Sequence, residues 1–111
     1  MNCHWLNDRV AIRGQISPGE VGQLAQEGFS CIVNVRPDGE QPGQPLSAEL
    51  EEEARRHGLG YCHIPVVPGR ATEQDAAEFA RAVDSADGSV IAFCRTGQRA
   101  DGLWQMAGKP G

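Results

Sequence analysis

Apolar residues fall into short runs along the chain, separated by stretches in which they recur every three or four positions. The runs cover residues 10–12, 29–35, 60–67 and 90–93, and runs of this length are typical of strands. The stretches between them carry the periodicity of amphipathic helices. Because strands that alternate with helices form βαβ units, the sequence predicts one α/β domain over residues 1–111. Its sheet is expected to be mostly parallel, four-stranded and flanked by helices.

Three of the helices have recognisable start signals. Ser17 is a predicted N-cap, followed by Pro18 at the first helical position and by Glu20, which closes a capping box. Ser47 is predicted to cap the second helix. Thr72 is predicted to cap the third helix with Asp75 as its partner, which gives that acid a structural explanation.

The strands differ in their predicted surroundings. The run at 10–12 is short and is expected at a sheet edge, whereas the near-continuous run at 29–35 suits a strand covered on both faces. The run at 60–67 contains Pro65, so this strand is expected to end or bulge there. Structural roles are expected for three further residues of these strands, Cys31, Cys62 and His63.

Charge and composition narrow the classes of function. The 111 residues hold 10 lysines and arginines against 15 aspartates and glutamates, for a net charge of −5. This acidic balance argues against a general nucleic-acid binder. No apolar run reaches membrane-spanning length, and residues 1–8 lack the basic start and apolar stretch of a signal peptide. We therefore expect a cytoplasmic protein with no membrane contact.

The cysteines and histidines give no sign of a metal centre. In the cytoplasm the four cysteines are expected to be reduced. They form no Cys-x-x-Cys pair, and the three histidines are scattered along the chain. The sequence therefore predicts neither a metal site nor a cofactor.

The candidate chemistry lies in residues 94–99, Cys-Arg-Thr-Gly-Gln-Arg, between the last apolar run and a helical pattern. At such a junction, backbone N–H groups and the positive end of the helix dipole converge on one point and form an anion cradle. These surroundings favour the thiolate of Cys94, which is the nucleophilic form. Gly97 permits the positive φ that a cradle requires. We predict Cys94 as the nucleophile and the rest of the loop as the anion site: Arg95, Thr96, Gly97, Gln98 and Arg99.

A structural interpretation of Cys94 stands beside this one. A cysteine that ends an apolar strand is commonly a small buried hydrophobic residue, and two nearby arginines are commonly solvated surface charges. The full loop at a strand-to-helix junction favours the cradle.

A second loop, at residues 36–45, leaves the carboxyl end of its strand as the Cys94 loop does. In an open parallel sheet, both loops lie on the rim where ligands bind. Arg36 is therefore a candidate for the anion site, and Asp38 and Glu40 are placed to face Cys94. The alternative is a solvated turn with ordinary turn chemistry.

The Cys94 loop resembles the loops of two families of cysteine enzyme. Rhodanese sulfurtransferases carry Cys-Arg-x-Gly-x-Arg or a close variant around a cysteine persulfide. Protein tyrosine and dual-specificity phosphatases carry Cys-x5-Arg, usually after a histidine. In this chain four residues separate Cys94 from Arg99, and Phe93 takes the place of the histidine.

Over most of its length the sequence also resembles the phosphatase-like domain of bacterial β-lactamase-hydrolase-like proteins. This resemblance implies a fold like that of a small dual-specificity phosphatase. Members of the family usually continue with further helices beyond the point that corresponds to Gly111. The resemblance is carried by Gln15-Ile16, Asn34-Val35-Arg36-Pro37-Asp38-Gly39-Glu40, His63-Ile64-Pro65-Val66, residues 92–99 and Leu103-Trp104.

Three hypotheses follow for a site that takes a small anion. The first is sulfur transfer from thiosulfate or a persulfide, through a persulfide on Cys94, to a thiol or cyanide. A loop shortened by one residue suits a single terminal sulfur, and sulfur transfer needs no acid for an alkoxide leaving group. Arg95 and Arg99, helped by Arg36, would attract the anionic donor.

The second hypothesis is phosphate-ester hydrolysis through a phosphocysteine at Cys94, with Arg99 on the phosphoryl oxygens. It needs an acid to protonate the leaving oxygen, for which Asp38 is the first candidate and Asp75 the second. The third hypothesis is a non-catalytic anion-binding or redox-sensing module. The physiological donor and acceptor are left open, as is the oligomeric state, a homo-oligomer included.

Overall fold

The computed structural model describes residues 2–111 and contains a five-stranded sheet in the order β1-β2-β5-β3-β4. Strand β1 is antiparallel to β2, and the other neighbouring strands are parallel. The predicted α/β class and mostly parallel sheet are confirmed. The strands are β1 His4–Trp5, β2 Val10–Arg13, β3 Phe29–Asn34, β4 Gly60–His63 and β5 Ser89–Phe93.

The predicted count of four strands is wrong, because β1 adds an antiparallel strand at the edge of the sheet. No apolar run in the sequence predicts β1. Its two residues, His4 and Trp5, pair with Ile12 and Ala11. This pairing moves β2 from the predicted edge to the interior of the sheet. Strand β4 ends at His63, before Pro65, as the proline predicts.

The helices pack on both faces of the sheet. A 3-10 turn, Pro18–Glu20, leads into α1 Val21–Gln26, and α2 Ser47–Arg56, α3 Glu73–Ser85 and α4 Gln98–Met106 follow. One core contains Val33, Val90, Phe79 and Leu103, and the other contains Ile32, Ile91, Leu24 and Leu50. Strand β3 thus contributes to both cores, which confirms that it is covered on both faces.

Two predicted caps are confirmed and one is corrected. Glu20 accepts the N–H of Ser17 at 2.9 Å, and Thr72 and Asp75 bond each other's backbone N–H groups at 3.1 and 3.0 Å. Ser47 is the first residue of α2 rather than its cap. Its N–H is bonded at 2.8 Å by Asp38, which supplies the cap from nine residues away.

The carboxyl ends of four strands meet at one rim of the sheet. The register pairs Arg13 with Phe93, Phe93 with Asn34, and Asn34 with His63. Because these residues end their strands, the loops that follow β2, β5, β3 and β4 leave the sheet side by side. This rim is where ligands bind in open α/β sheets.

Residues 2–111 contain no membrane-spanning helix and no metal-binding cluster. None of the helices they form is long and apolar enough to cross a membrane. Within the same residues, no three side chains of histidine, cysteine, aspartate or glutamate gather where they would hold a metal ion.

Candidate active site

Cys94 lies at the base of the loop between β5 and α4. Its side chain is buried against the core, and the residue is only 1% exposed. The N–H of Gly97 donates to Cys94 Sγ at 3.1 Å, and Gly97 has the predicted positive φ, +98°. The loop therefore directs a backbone N–H donor at the sulfur, as the predicted cradle requires.

Arg99 lies in the first turn of α4 and is fixed by two other loops of the rim. Its Nη1 and Nη2 donate to the two carboxylate oxygens of Glu40 at 2.7 and 2.9 Å. Nη1 also donates to the carbonyl oxygen of Val66 at 2.9 Å. These hydrogen bonds leave the Nε–H and the second Nη2–H, which point along one edge of the guanidinium as a fork. Such a fork matches two oxygens of a phosphoryl or similar anion.

Glu40 is a charged clamp between two arginines. Besides the bonds from Arg99, it accepts one from Arg36 Nε at 2.9 Å. The hydrogen bond from Arg99, with further help from Arg36, lowers the pKa of Glu40 from 4.5 to about 2. The same bond raises the pKa of Arg99. The carboxylate therefore stays charged throughout the physiological range and holds Arg99 in one orientation.

Arg36 lies deeper than its predicted role requires. It is 2% exposed, and besides Glu40 it donates to Gln15 at 2.8 Å and to Gln41 at 2.9 Å. A guanidinium held by three side chains is in place to position Glu40. Direct contact of Arg36 with a substrate anion stays a prediction, and its burial favours the supporting role.

A depression of about 280 Å³ opens beside the loop. Arg95 is exposed and lines it, whereas Thr96 and Gln98, which are also exposed, do not line it. Both arginines of the loop contribute to the wall, so a small anion entering here meets positive charge. The depression is lined by Arg36, Glu40, Gln41, Pro68, Arg95 and Arg99.

The two candidate acids both accept backbone N–H groups at the start of a helix. Asp38 is exposed and bonds the N–H of Ser47, and Asp75 bonds the N–H of Thr72. Neither residue lines the depression. A role in proton transfer therefore stays a prediction for Asp38, while the capping explanation of Asp75 is confirmed.

Gly14 is a site residue that the sequence analysis does not single out. A Cβ at this position would lie 2.9 Å from the carbonyl oxygen of Arg95. The missing side chain thus allows the end of β2 to pack directly against the Cys94 loop. A glycine immediately after an apolar strand is the available signal, since glycine there often marks close approach of another backbone.

Known proteins with similar sequences and structures include phosphatase-like ones. A β-lactamase hydrolase-like protein of Xylella fastidiosa is 40% identical over 102 residues, which are 92% of this chain and 24% of that protein. The chain thus spans about a quarter of that relative's length.

Two solved structures share the fold. A "putative phosphatase" from Neisseria meningitidis has a TM-score of 0.82 at 31% identity, over 91% of this chain and 72% of that one. The core catalytic domain of a PP-IP phosphatase from S. cerevisiae has a TM-score of 0.64 at 11% identity, over 96% and 76%. The second likeness shows a phosphatase-type fold and no more.

A family match covers nearly all of the chain. Residues 2–109 match the family described as "Beta-lactamase hydrolase-like protein, phosphatase-like domain". The resemblance noted from the sequence is therefore confirmed: the chain belongs to the family of phosphatase-like domains of β-lactamase hydrolase-like proteins.

Proposed function

We propose that this domain hydrolyses phosphate monoesters with Cys94 as the nucleophile. The observation that carries the proposal is the pairing of a sulfur that accepts the Gly97 N–H with an arginine whose free fork is held in place by Glu40. Membership in a phosphatase-like family supports the same chemistry.

The reaction has two steps. Cys94 Sγ attacks phosphorus, the bond between phosphorus and the ester oxygen breaks, and the leaving oxygen departs with the electron pair. Water then attacks the phosphocysteine, releasing inorganic phosphate and the thiolate. The free fork of Arg99 and the backbone N–H groups of the loop stabilise the charge on the phosphoryl oxygens in both steps.

The nature of the leaving group follows from the placement of the acids. Because Asp38 already accepts a hydrogen bond from Ser47, its carboxylate is occupied at one oxygen. Esters of phenols leave as weakly basic anions and depend little on a protonating acid. We therefore infer that aryl phosphates are better substrates than alkyl phosphates of similar size.

Sulfur transfer is a second candidate, favoured by the length of the loop. Only four residues separate Cys94 from Arg99, one fewer than in the phosphatase pattern, which suits a single terminal sulfur. The thiolate would attack the outer sulfur of thiosulfate, the sulfur–sulfur bond would break, and sulfite would leave with the electron pair. Cyanide or a thiol would then take the sulfur from the persulfide on Cys94.

One set of assays separates the candidates. The domain is assayed in parallel with an aryl phosphate and with thiosulfate plus cyanide, and its intact mass is recorded after each exposure. A phosphoryl group on Cys94 supports hydrolysis, whereas one added sulfur supports transfer. Cys94→Ser is expected to lower turnover at least about 1,000-fold, while Cys62→Ser, a change outside the site, leaves it unchanged.

Three outcomes contradict the proposal. Aryl phosphate turnover that persists in Cys94→Ser removes Cys94 from the mechanism. Turnover of thiosulfate, with no turnover of the aryl phosphate, supports sulfur transfer instead. Inertness toward both substrates, with binding of phosphate or sulfate, supports a non-catalytic anion-binding module.

A further inference from the structure

A second, apolar groove adjoins the anion site. It has a volume of about 360 Å³, which is within the size range of small-molecule sites. Its walls come from the loop after β4 and from α4, and Met106, which is 49% exposed, lies open within it. The groove is lined by Val66, Gly69, Ala71, Arg99, Gly102, Leu103 and Met106.

The groove and the anion depression share two parts of the chain. Arg99 lines both cavities. In the loop after β4, Pro68 lines the depression, whereas Gly69 and Ala71 line the groove. A ligand whose anionic end occupies the depression therefore has the groove immediately beyond Arg99.

The chemistry of the two cavities is complementary to one kind of molecule. The depression offers arginines, and the groove offers aliphatic and thioether surface with Arg99 as its one charged residue. We propose that the groove binds the apolar group of the substrate, so that the preferred substrates are anionic esters carrying a hydrocarbon chain or ring. This inference rests on the proposed function for the identity of the anionic end, and it assigns the specificity to the groove.

Alkylphosphonates of increasing chain length test the inference without any turnover. Methyl-, propyl- and pentylphosphonate present the same anionic end, and each methylene that enters the groove is expected to tighten binding roughly fourfold. The dissociation constants are measured by NMR titration of the amides of the Cys94 loop. We expect a steady fall in Kd along the series in the unmodified domain.

Gly102 allows the groove to be filled. A Cβ at this position meets no atom within 4 Å, so Gly102→Leu places a side chain in the groove without a clash at its first atom. It is expected to abolish the dependence on chain length while leaving the Kd of methylphosphonate within about twofold. The matched control is Gln105→Leu, on the same helix at an exposed position that does not line the groove, and it is expected to retain the dependence.

The outcomes separate this inference from the proposed function. A flat series in the unmodified domain, no binding of any phosphonate, or an unchanged series in Gly102→Leu overturns the inference. If aryl phosphates are hydrolysed through Cys94 but the series is flat, the groove serves another occupant and only this inference fails. If the series is steep but no ester is hydrolysed, the proposed function fails and the apolar subsite stands.

Discussion

Two regions of this domain hold buried cysteines, and they differ in what surrounds the sulfur. At one rim, Cys94 Sγ accepts the N–H of Gly97 at 3.1 Å. Toward the other end of the sheet, Cys31 Sγ donates to the carbonyl oxygen of Ile32 at 3.7 Å. Both residues are buried, at 1% and 8% exposure. Burial alone therefore does not distinguish them.

This difference, rather than cavity size, indicates which of the two regions is the better candidate for an active site. The cavity lined by Cys31 and Cys62 is the larger, about 730 Å³ against about 280 Å³ beside the Cys94 loop. Burial, and to a lesser degree the neighbouring thiol of Cys62, raises the pKa of Cys31 to about 11. Cys31 Sγ donates to a carbonyl oxygen, whereas Cys94 Sγ accepts a backbone N–H. The direction of the hydrogen bond, not the cavity volume, supports Cys94 rather than Cys31 as the proposed nucleophile.

Alkylation of Cys31 gives the largest expected effect in this comparison. With its pKa raised from 9.0 to about 11, the thiolate fraction at pH 8 falls about 100-fold below that of an ordinary cysteine. Iodoacetamide should therefore leave Cys31 unmodified in the folded domain while labelling it in denaturant, as measured by peptide mass spectrometry. The native rate should rise about tenfold per pH unit up to about pH 11. Labelling of native Cys31 at an ordinary rate at pH 8 would show that the contrast is wrong.

A pair of glycine substitutions probes the two regions with the same added methyl group. In Gly14→Ala the new Cβ meets the Arg95 carbonyl oxygen at 2.9 Å, whereas in Gly60→Ala it meets Cys31 Sγ at 3.5 Å. The first must displace the Cys94 loop and is expected to lower kcat/KM on the order of tenfold. The second makes an ordinary contact, so kcat/KM should stay unchanged. Equal effects of the two variants on kcat/KM would show that activity does not depend on the position of the Cys94 loop.

Glu40→Gln is expected to have the smallest effect on kcat/KM. It tests the electrostatic surroundings of Arg99 near the Cys94 loop. The folded pKa of Glu40 is about 2, below its ordinary 4.5. Its stabilising contribution is therefore complete above pH 4.5 and is lost as the pH falls toward 2. We expect a fall of several-fold in kcat/KM, because a neutral amide positions the guanidinium of Arg99 less firmly.

The stability of Glu40→Gln checks the sign of this effect. The unmodified domain should exceed the variant in urea midpoint at pH 7, and the difference should shrink steadily between pH 4.5 and pH 2. Glu52→Gln, which alters an exposed pair with Arg56, should show little difference at any pH. If the difference in urea midpoint between Glu40→Gln and the unmodified domain grew as the pH fell, the stabilising role of the Glu40 carboxylate would be wrong.

Local signals in the sequence predict most of the helices and strands. The capping residues at Ser17 and Thr72 and the apolar run before Cys94 act within a few positions, so the local sequence predicts them. Gly97 is equally local, because its positive φ follows from the turn into α4. The two-residue strand β1 carries too little pattern to be found, and it alone changes the count and order of the sheet.

The remaining parts of the site depend on contacts between distant residues. Arg99 meets Glu40 across 59 positions and Val66 across 33, and no local period encodes either pairing. Asp38 similarly caps a helix that starts nine residues later, whereas the local sequence predicts Ser47 as the cap. Such partners become visible only when the rim has assembled.

Two loops hold the guanidinium of Arg99 and a third carries the residue itself, so the proposed activity depends on the integrity of the entire domain. The loops that hold Glu40 and Val66 belong to different strands from the one that delivers Cys94. Fraying of any one of them releases the arginine, so partly unfolded molecules are expected to be inert rather than weakly active. Conversely, an anion that engages this arginine binds only the native state, and saturating phosphate should raise the melting temperature of the whole chain.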